Sequence, residues 1–245
     1  MKALLLKEYK SLEVVDFPKP KIGPREVLVR VAACGICGSD VHGMDGSTGR
    51  RQPPIIMGHE AAGIITNVGA GVTDWKTGDR VTFDSTIYCG ECAYCKQGRV
   101  NLCENRRVLG VSCDDYRQHG AFAEFISVPE RILYRIPDGV PYEHAAMVEP
   151  VSVALHAVSH ASFVTNDSAV VIGAGMIGLL IVQVLRAHGY DQITAVDVDE
   201  SRLQLAMQCG AHFTLNPSRI DVPTAVRART RGLGVSAVFE AVGAN

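Results

Sequence analysis

The chain has 245 residues, 47% hydrophobic and 20% charged, with a formal net charge of -2. This is the balance of a soluble globular protein with one large domain or two ordinary ones, and it excludes a general electrostatic pull toward nucleic acid or anionic membrane. No apolar run is long enough to span a bilayer, and the N-terminus has only four consecutive apolar residues after Lys2, too few for a signal peptide. The expected location is the cytoplasm, where the eight cysteines stay reduced and serve metal binding, redox chemistry or core packing.

The first 150 residues read as short strands separated by turns. Runs 27–31, 64–68 and 80–83 are rich in β-branched residues, with Gly23-Pro24, Gly69-Ala70-Gly71 and Gly78-Asp79 around them. Segments 122–128 and 132–136 continue the pattern. The expectation is a β-rich, barrel-like domain over residues 1–150.

Cys34-Gly35-Ile36-Cys37 follows the first of these strands. A cytosolic CxxC is compatible with thiol redox chemistry, but that motif normally opens a helix near a βαβ unit. In a β-rich context Cys37 reads as a metal ligand and Cys34 as a core cysteine. Ser39 and His42 follow closely enough to form a hydroxyl-to-imidazole proton path. Asp40 is placed to orient a ligating histidine.

Gly58-His59-Glu60-Ala61-Ala62-Gly63 sets a histidine beside a carboxylate. A lone histidine in an apolar stretch is more often a core residue. The adjoining Glu60 and the flanking glycines shift His59 and Glu60 toward ligation. Between residues 89 and 113 the strand rhythm fails. There Cys89, Cys92, Cys95 and Cys103 stand in C-x2-C-x2-C-x7-C, which suits a closed, structural zinc site with four thiolates. A nucleic-acid zinc ribbon pairs two CxxC knuckles across a longer gap, and nothing here is basic enough to support it. Glu149, in Val148-Glu149-Pro150, is a carboxylate in an apolar segment. It reads either as a metal ligand or as a helix-capping or salt-bridging acid. A Cys, His, Glu set with one open position is the pattern of a catalytic zinc. Cys113, Cys209 and the remaining histidines read as structural.

Beyond residue 150 the texture changes. Residues 151–162 are apolar at helical spacing. Strands are expected at 169–172, 192–196, 212–215 and 237–240, and helices at 176–188, 200–209 and 220–230. This alternation predicts a parallel sheet wound with helices over 151–245. The sheet has the first mononucleotide half and the opening of a second, so the chain is expected to be a C-terminally incomplete fragment. Gly173-Ala174-Gly175-Met176-Ile177-Gly178 follows a buried strand and opens a helix, which makes it a dinucleotide fingerprint. Gly173 permits the turn, Gly175 lets the pyrophosphate approach, and Gly178 lets helix and strand pack closely. Asp197 ends the next strand, where a carboxylate binds the ribose hydroxyls and favours NAD over NADP. Its alternative role is to cap the following helix, although Asp199 is available for that.

Gly58 to Gly63, continuing to Gly69 and Val72, resembles the zinc signature of the medium-chain, zinc-dependent alcohol dehydrogenases. The Cys37-to-His42 stretch and the four-cysteine lobe agree with that family in order and spacing. The Glu149-Pro150 context is similar to the sorbitol (polyol) dehydrogenase branch. The resemblance implies a GroES-like first domain, a Rossmann-type second domain, and two zinc ions, one catalytic and one structural. It implies Cys37, His59 and either Glu149 or Glu60 as catalytic ligands, the two glutamates exchanging or acting through a water. It further implies Ser39 as the proton-relay hydroxyl, Arg202 along the adenine, and a homodimer or homotetramer. The function expected is NAD-dependent oxidation of a secondary alcohol, a polyol or sugar alcohol. The alternatives are the same chemistry on threonine or a sugar-alcohol phosphate, and a non-catalytic zinc- and nucleotide-binding fragment.

Overall fold

The computed structural model describes residues 1–162 and 167–243. The chain divides into two compact units, Met1–Glu149 and Pro150–Asn245.

The first unit opens with an antiparallel hairpin of β1 (Lys2–Glu8) and β2 (Ser11–Asp16), in which Leu6 faces Leu12. β3 (Glu26–Gly35) runs into a short helix, α1 (Gly38–Met44). β4 (Ile55–Ile56) pairs with β1. β5 (Glu60–Val68) and β6 (Arg80–Phe83) follow. β7 (Thr86–Ile87) pairs with β8 (Arg107–Val108), closing the base of a lobe that contains α2 (Ala93–Lys96). A second small ribbon joins β9 (Val111–Ser112) to β10 (Arg117–Gln118). β11 (Phe125–Pro129) and β12 (Leu133–Arg135) complete a five-stranded antiparallel sheet in the order β11-β3-β5-β6-β12. α3 (Tyr142–Ala146) packs against β3 and β5.

Alternation along these strands sends Val27, Val29, Ala61, Ile65, Val81, Phe83, Ile126 and Val128 into one core. Each valine, isoleucine or phenylalanine among them stabilises the fold by about 1.5–3 kcal/mol when fully buried. The core also fixes the register that builds the site. β3 and β5 are antiparallel, with Cys34 opposite Ala61 and Gly35 opposite Glu60. The end of β3 therefore meets the start of β5, and Cys37 arrives beside His59 and Glu60.

Two local expectations are corrected. The strand expected over 122–128 begins only at Phe125, because the Phe122 and Glu124 amides donate to Met57 O and Lys2 O instead. The CxxC does open a helix: Cys37 is the N-cap of α1.

α4 (Val148–Ser159) leads into the second unit. There β13 (Ser168–Ile172), β14 (Gln192–Val196), β15 (Phe213–Leu215) and β16 (Ala237–Glu240) form a parallel sheet in the order β15-β14-β13-β16. The connecting helices are α5 (Met176–Ala187), α6 (Glu200–Gln208) and α7 (Val222–Arg229). α5 buries Leu180, Ile181, Val182 and Leu185, the apolar face that its sequence spacing predicts. Asp199 caps α6 and Asp221 caps α7 by accepting backbone amides. The strand order reverses between β13 and β16, where sheets of this kind leave a crevice for a ligand at their carboxyl ends.

Candidate active site

The site begins at the N-terminus of α1. The Ser39 amide donates to Cys37 Sγ at 3.4 Å, and the Cys37 amide donates to Asp40 Oδ2 at 3.1 Å. These two bonds fix the sulfur at the helix entrance. Gly58 brings in the next candidate ligand, His59. It holds φ at +91°, and a Cβ there would lie 2.6 Å from the Phe122 ring, so only glycine fits. His59 and Glu60 follow, both buried. Gly35 makes room for the Glu60 carboxyl, since a Cβ would stand 2.3 Å from Oε2. One donor atom each from Cys37, His59 and Glu60 lies within 4.8 Å of the others.

The donor set fits a cation. Both Glu60 oxygens are buried without a hydrogen-bond partner, and so is His59 Nδ1. A buried carboxylate left unpaired is costly, and a metal ion satisfies it. Burial acts against charge on His59, yet the Asp40 carboxylate and Cys37 outweigh it and bring the imidazole up to about 10. Burial also pushes the Glu60 carboxyl up; the His59 charge opposes this and the nearby Glu149 adds to it. The pocket thus concentrates negative groups and favours a positive charge among them.

Asp40 supports this set. Its Oδ1 lies 3.6 Å from His59 Nδ1 and 3.5 Å from Arg51 Nη2. Burial works against its charge, but His59, the Cys37 amide and Arg51 hold its carboxyl below the usual range. Arg51 is buried at 6% exposure, and its Nη2 also donates to Ser39 Oγ at 3.3 Å. The residue-by-residue reading of the sequence did not mark Arg51, since an arginine in a polar loop carries no signal of burial.

Ser39 and His42 lie one turn apart on the exposed side of α1, and no hydrogen bond joins them among the described residues. Glu149 stands in the first turn of α4, its Oε1 3.5 Å from Ser85 Oγ, outside the Cys37–His59–Glu60 group. Burial raises its carboxyl as well. Cys34 lies behind the site, where burial, with the Asp40 charge next, pushes its thiol up to about 12. It remains a protonated thiol, unsuited to nucleophilic redox chemistry.

The second cluster is made by one loop. The Cys89, Cys92, Cys95 and Cys103 sulfurs all lie within 4.8 Å of one another. Tetrahedral zinc with bonds of about 2.3 Å separates its sulfurs by about 3.8 Å. Cys89 Sγ and Cys95 Sγ are 3.9 Å apart. The Glu91 and Cys92 amides donate to Cys89 Sγ and lower its thiol to about 6. Burial sends Cys95 the other way, up to about 12. The set fits a zinc ion with no open position.

In the second unit, Gly173 has φ +95°, and a Cβ on Gly178 would come 1.8 Å from Gly173 O. Loop and helix can pack this closely only without a side chain. Gly175 is the N-cap of α5 and makes no side-chain cap bond; the space where its Cβ would be is open. The first amides of α5 are left to receive an anion. Asp197 does more than the sequence suggests: Oδ2 accepts from Ala174 N at 2.7 Å and Oδ1 from Asp199 N at 2.9 Å. It braces the glycine loop from the adjoining strand. Arg202 Nη1 lies 3.9 Å from Asp197 Oδ2. The capping role falls to Asp199, whose Oδ1 accepts from Ser201 N and Arg202 N.

Comparison with known proteins agrees with this geometry. The family described as alcohol dehydrogenase GroES-like domain matches residues 23–138, and that described as zinc-binding dehydrogenase matches 176–245. The chain is 40% identical to an L-threonine 3-dehydrogenase of Symbiobacterium thermophilum, over 93% of this chain and 64% of that protein. It is 35% identical to the sorbitol dehydrogenase of Bacillus subtilis, over 99% of this chain and 69% of that one. A solved zinc-binding dehydrogenase from Sinorhizobium meliloti 1021, bound to NADP, superposes with a TM-score of 0.88 at 35% identity, over 99% of this chain and 70% of that chain. The chain thus spans about two thirds of the length of these relatives. With both halves matched, the chain belongs to the zinc-dependent, medium-chain alcohol dehydrogenase family.

Proposed function

We propose that this protein is an NAD-linked, zinc-dependent dehydrogenase that oxidises a secondary alcohol of the polyol or sugar-alcohol class. The observation that carries the reading is the convergence of Cys37, His59 and the two partnerless oxygens of Glu60 in one buried cluster. A zinc ion held there supplies Lewis acidity that lowers the pKa of an alcohol hydroxyl. Ser39 would accept the hydroxyl proton while its own Oγ–H passes, through water, to His42 one turn further along α1 and on to solvent. Arg51 holds the Ser39 oxygen, and Asp40 holds His59. Glu149 would be the second carboxylate available to the zinc, exchanging with Glu60 or acting through a water.

The same reading assigns the open N-terminus of α5 and Gly175 to the pyrophosphate of NAD, and Asp197 to the adenosine ribose, with Arg202 along the adenine. A carboxylate at that position repels a 2′-phosphate. NAD is therefore the cofactor proposed here, although one structural relative is bound to NADP. NAD held there would supply the hydride acceptor for the substrate carbon. Cys89, Cys92, Cys95 and Cys103 hold a second, structural zinc. Reduced thiols in both clusters suit the cytoplasm, and the family resemblance supports a homodimer or homotetramer.

L-Threonine is the second substrate to consider, because the threonine dehydrogenase relative is 40% identical against 35% for the sorbitol dehydrogenase. The test is NADH formation from sorbitol, xylitol, a sugar-alcohol phosphate and L-threonine by the zinc-loaded protein. Turnover of a polyol that disappears in Cys37→Ser supports the proposal. Undiminished turnover in that variant contradicts it.

A further inference from the structure

A pair of histidines stands at the exposed C-terminal end of α4, apart from the two cysteine-containing clusters. His156 lies in the last turn of the helix, and His160 lies in the turn that follows it, its amide donating to Ala157 O at 3.3 Å. Both are exposed. Their rings meet edge to face with centroids 4.5 Å apart, and the two Nε2 atoms are 3.1 Å apart. The sequence reading left these histidines as structural, but they support no core.

We propose that His156 and His160 form a two-imidazole site for a divalent late transition-metal ion, separate from both zinc sites. Imidazole nitrogens bind such ions at about 2.0–2.1 Å. Two nitrogens 3.1 Å apart at that bond length subtend an angle of about 98° at the metal. This lies between the right angle of square-planar or octahedral coordination and the tetrahedral value. Both nitrogens can therefore reach one ion once each ring turns its lone pair off the N···N axis toward the metal. The present contact is a single hydrogen bond, in which one Nε2–H donates to the other ring. Binding requires both rings as Nδ1–H tautomers; the proton on Nε2 relocates to Nδ1 of its own ring, and both lone pairs become available. No net proton is released. The helix backbone holds the pair in place, so the second imidazole binds at a high effective concentration. Copper binds most tightly, with nickel and zinc weaker, as the Irving–Williams order requires. The remaining coordination positions are open to solvent.

The test uses the zinc-loaded full chain and Cu2+ or Ni2+ as the probe. Titration calorimetry is run on the parent, His156→Ala, His160→Ala, the double variant and His188→Ala, a control on a different helix. Both side chains are exposed, so alanine at either position leaves the fold in place. The expected result is one added site per chain, weakened at least about tenfold by either single substitution. Each single variant keeps only monodentate binding, and the double variant, with no imidazole left there, should be the weakest. His188→Ala should match the parent. Cu2+ electron paramagnetic resonance should show two coordinated nitrogens in the parent and fewer in each single variant. Equal affinity in the parent and in either His156→Ala or His160→Ala would overturn the proposal.

Discussion

The two clusters in the first unit use similar atoms and differ in how the chain assembles them. The cysteine lobe draws four sulfurs from one loop between Cys89 and Cys103, and local amides already donate to them. The Cys37 cluster draws its groups from a helix N-cap, from a loop set by Gly58 and from the first residue of β5. The lobe is uniform and closed. The Cys37 cluster is mixed, buried, and accompanied by a spare carboxylate at Glu149. A closed all-sulfur shell holds structure, whereas a mixed shell with a replaceable member leaves room for substrate. The difference lies in which parts of the fold must cooperate to make each site.

Substitutions can break this contrast. The largest effect on turnover is expected from Cys37→Ser or His59→Ala. Several kcal/mol of charge stabilisation is lost with the metal, which corresponds to about 10³-fold or more in kcat. The thermal midpoint should change little, since the sheet core is untouched. A steady-state assay of NADH formation beside a melting curve checks both halves.

Asp40→Asn should cost about 10–100-fold in zinc affinity or activity, the usual effect of removing a ligand's supporting partner. Chelator competition reads it directly. A variant that holds zinc as tightly as the parent would mean that the Asp40–His59 contact is incidental.

Asp197→Ser should weaken NAD binding about tenfold, as loss of a charge-assisted hydrogen bond does. It should also narrow the preference for NAD over NADP. Fluorescence titration with both reduced cofactors tests this. Unchanged affinity for both would show that Asp197 serves only to brace Ala174.

Cys92→Ser should have the smallest effect on turnover at low temperature, at most a few-fold. Its signature is a thermal midpoint lower by more than about 5 °C, because the lobe loses its metal. An equal loss of turnover in Cys92→Ser and Cys37→Ser would erase the distinction between the clusters.

Much of this was legible in the sequence, for physical reasons. The lobe was readable because its ligands are local and cysteine spacing is itself the geometry. The glycine loop was readable because Gly173 and Gly178 answer steric demands and Gly175 leaves the helix N-terminus open. Strands 192–196 and 237–240 stood out as apolar runs between turns. The hairpin of β1 and β2 was missed, because half of its side chains are exposed and its turn at Lys10 uses a left-handed lysine instead of Asn-Gly. α1 was missed because cysteine is not a usual N-cap. Arg51 was missed because its burial depends on Gly43, Asp40 and Ser39, which are brought together only by the fold. The choice between Glu60 and Glu149 was open in sequence. The structure groups Glu60 with Cys37 and His59 and leaves Glu149 outside.

The central claim is that the chain carries one open, mixed zinc site in addition to the closed cysteine lobe. Zinc per chain, measured by elemental analysis on the parent, Cys37→Ser and Cys92→Ser after dialysis against a weak chelator, tests it most directly. The account predicts two zinc ions in the parent and one in each variant, with the remaining ion supporting turnover only in Cys92→Ser. Two ions retained in Cys37→Ser, or a single ion in the parent that Cys37→Ser leaves in place, would contradict it.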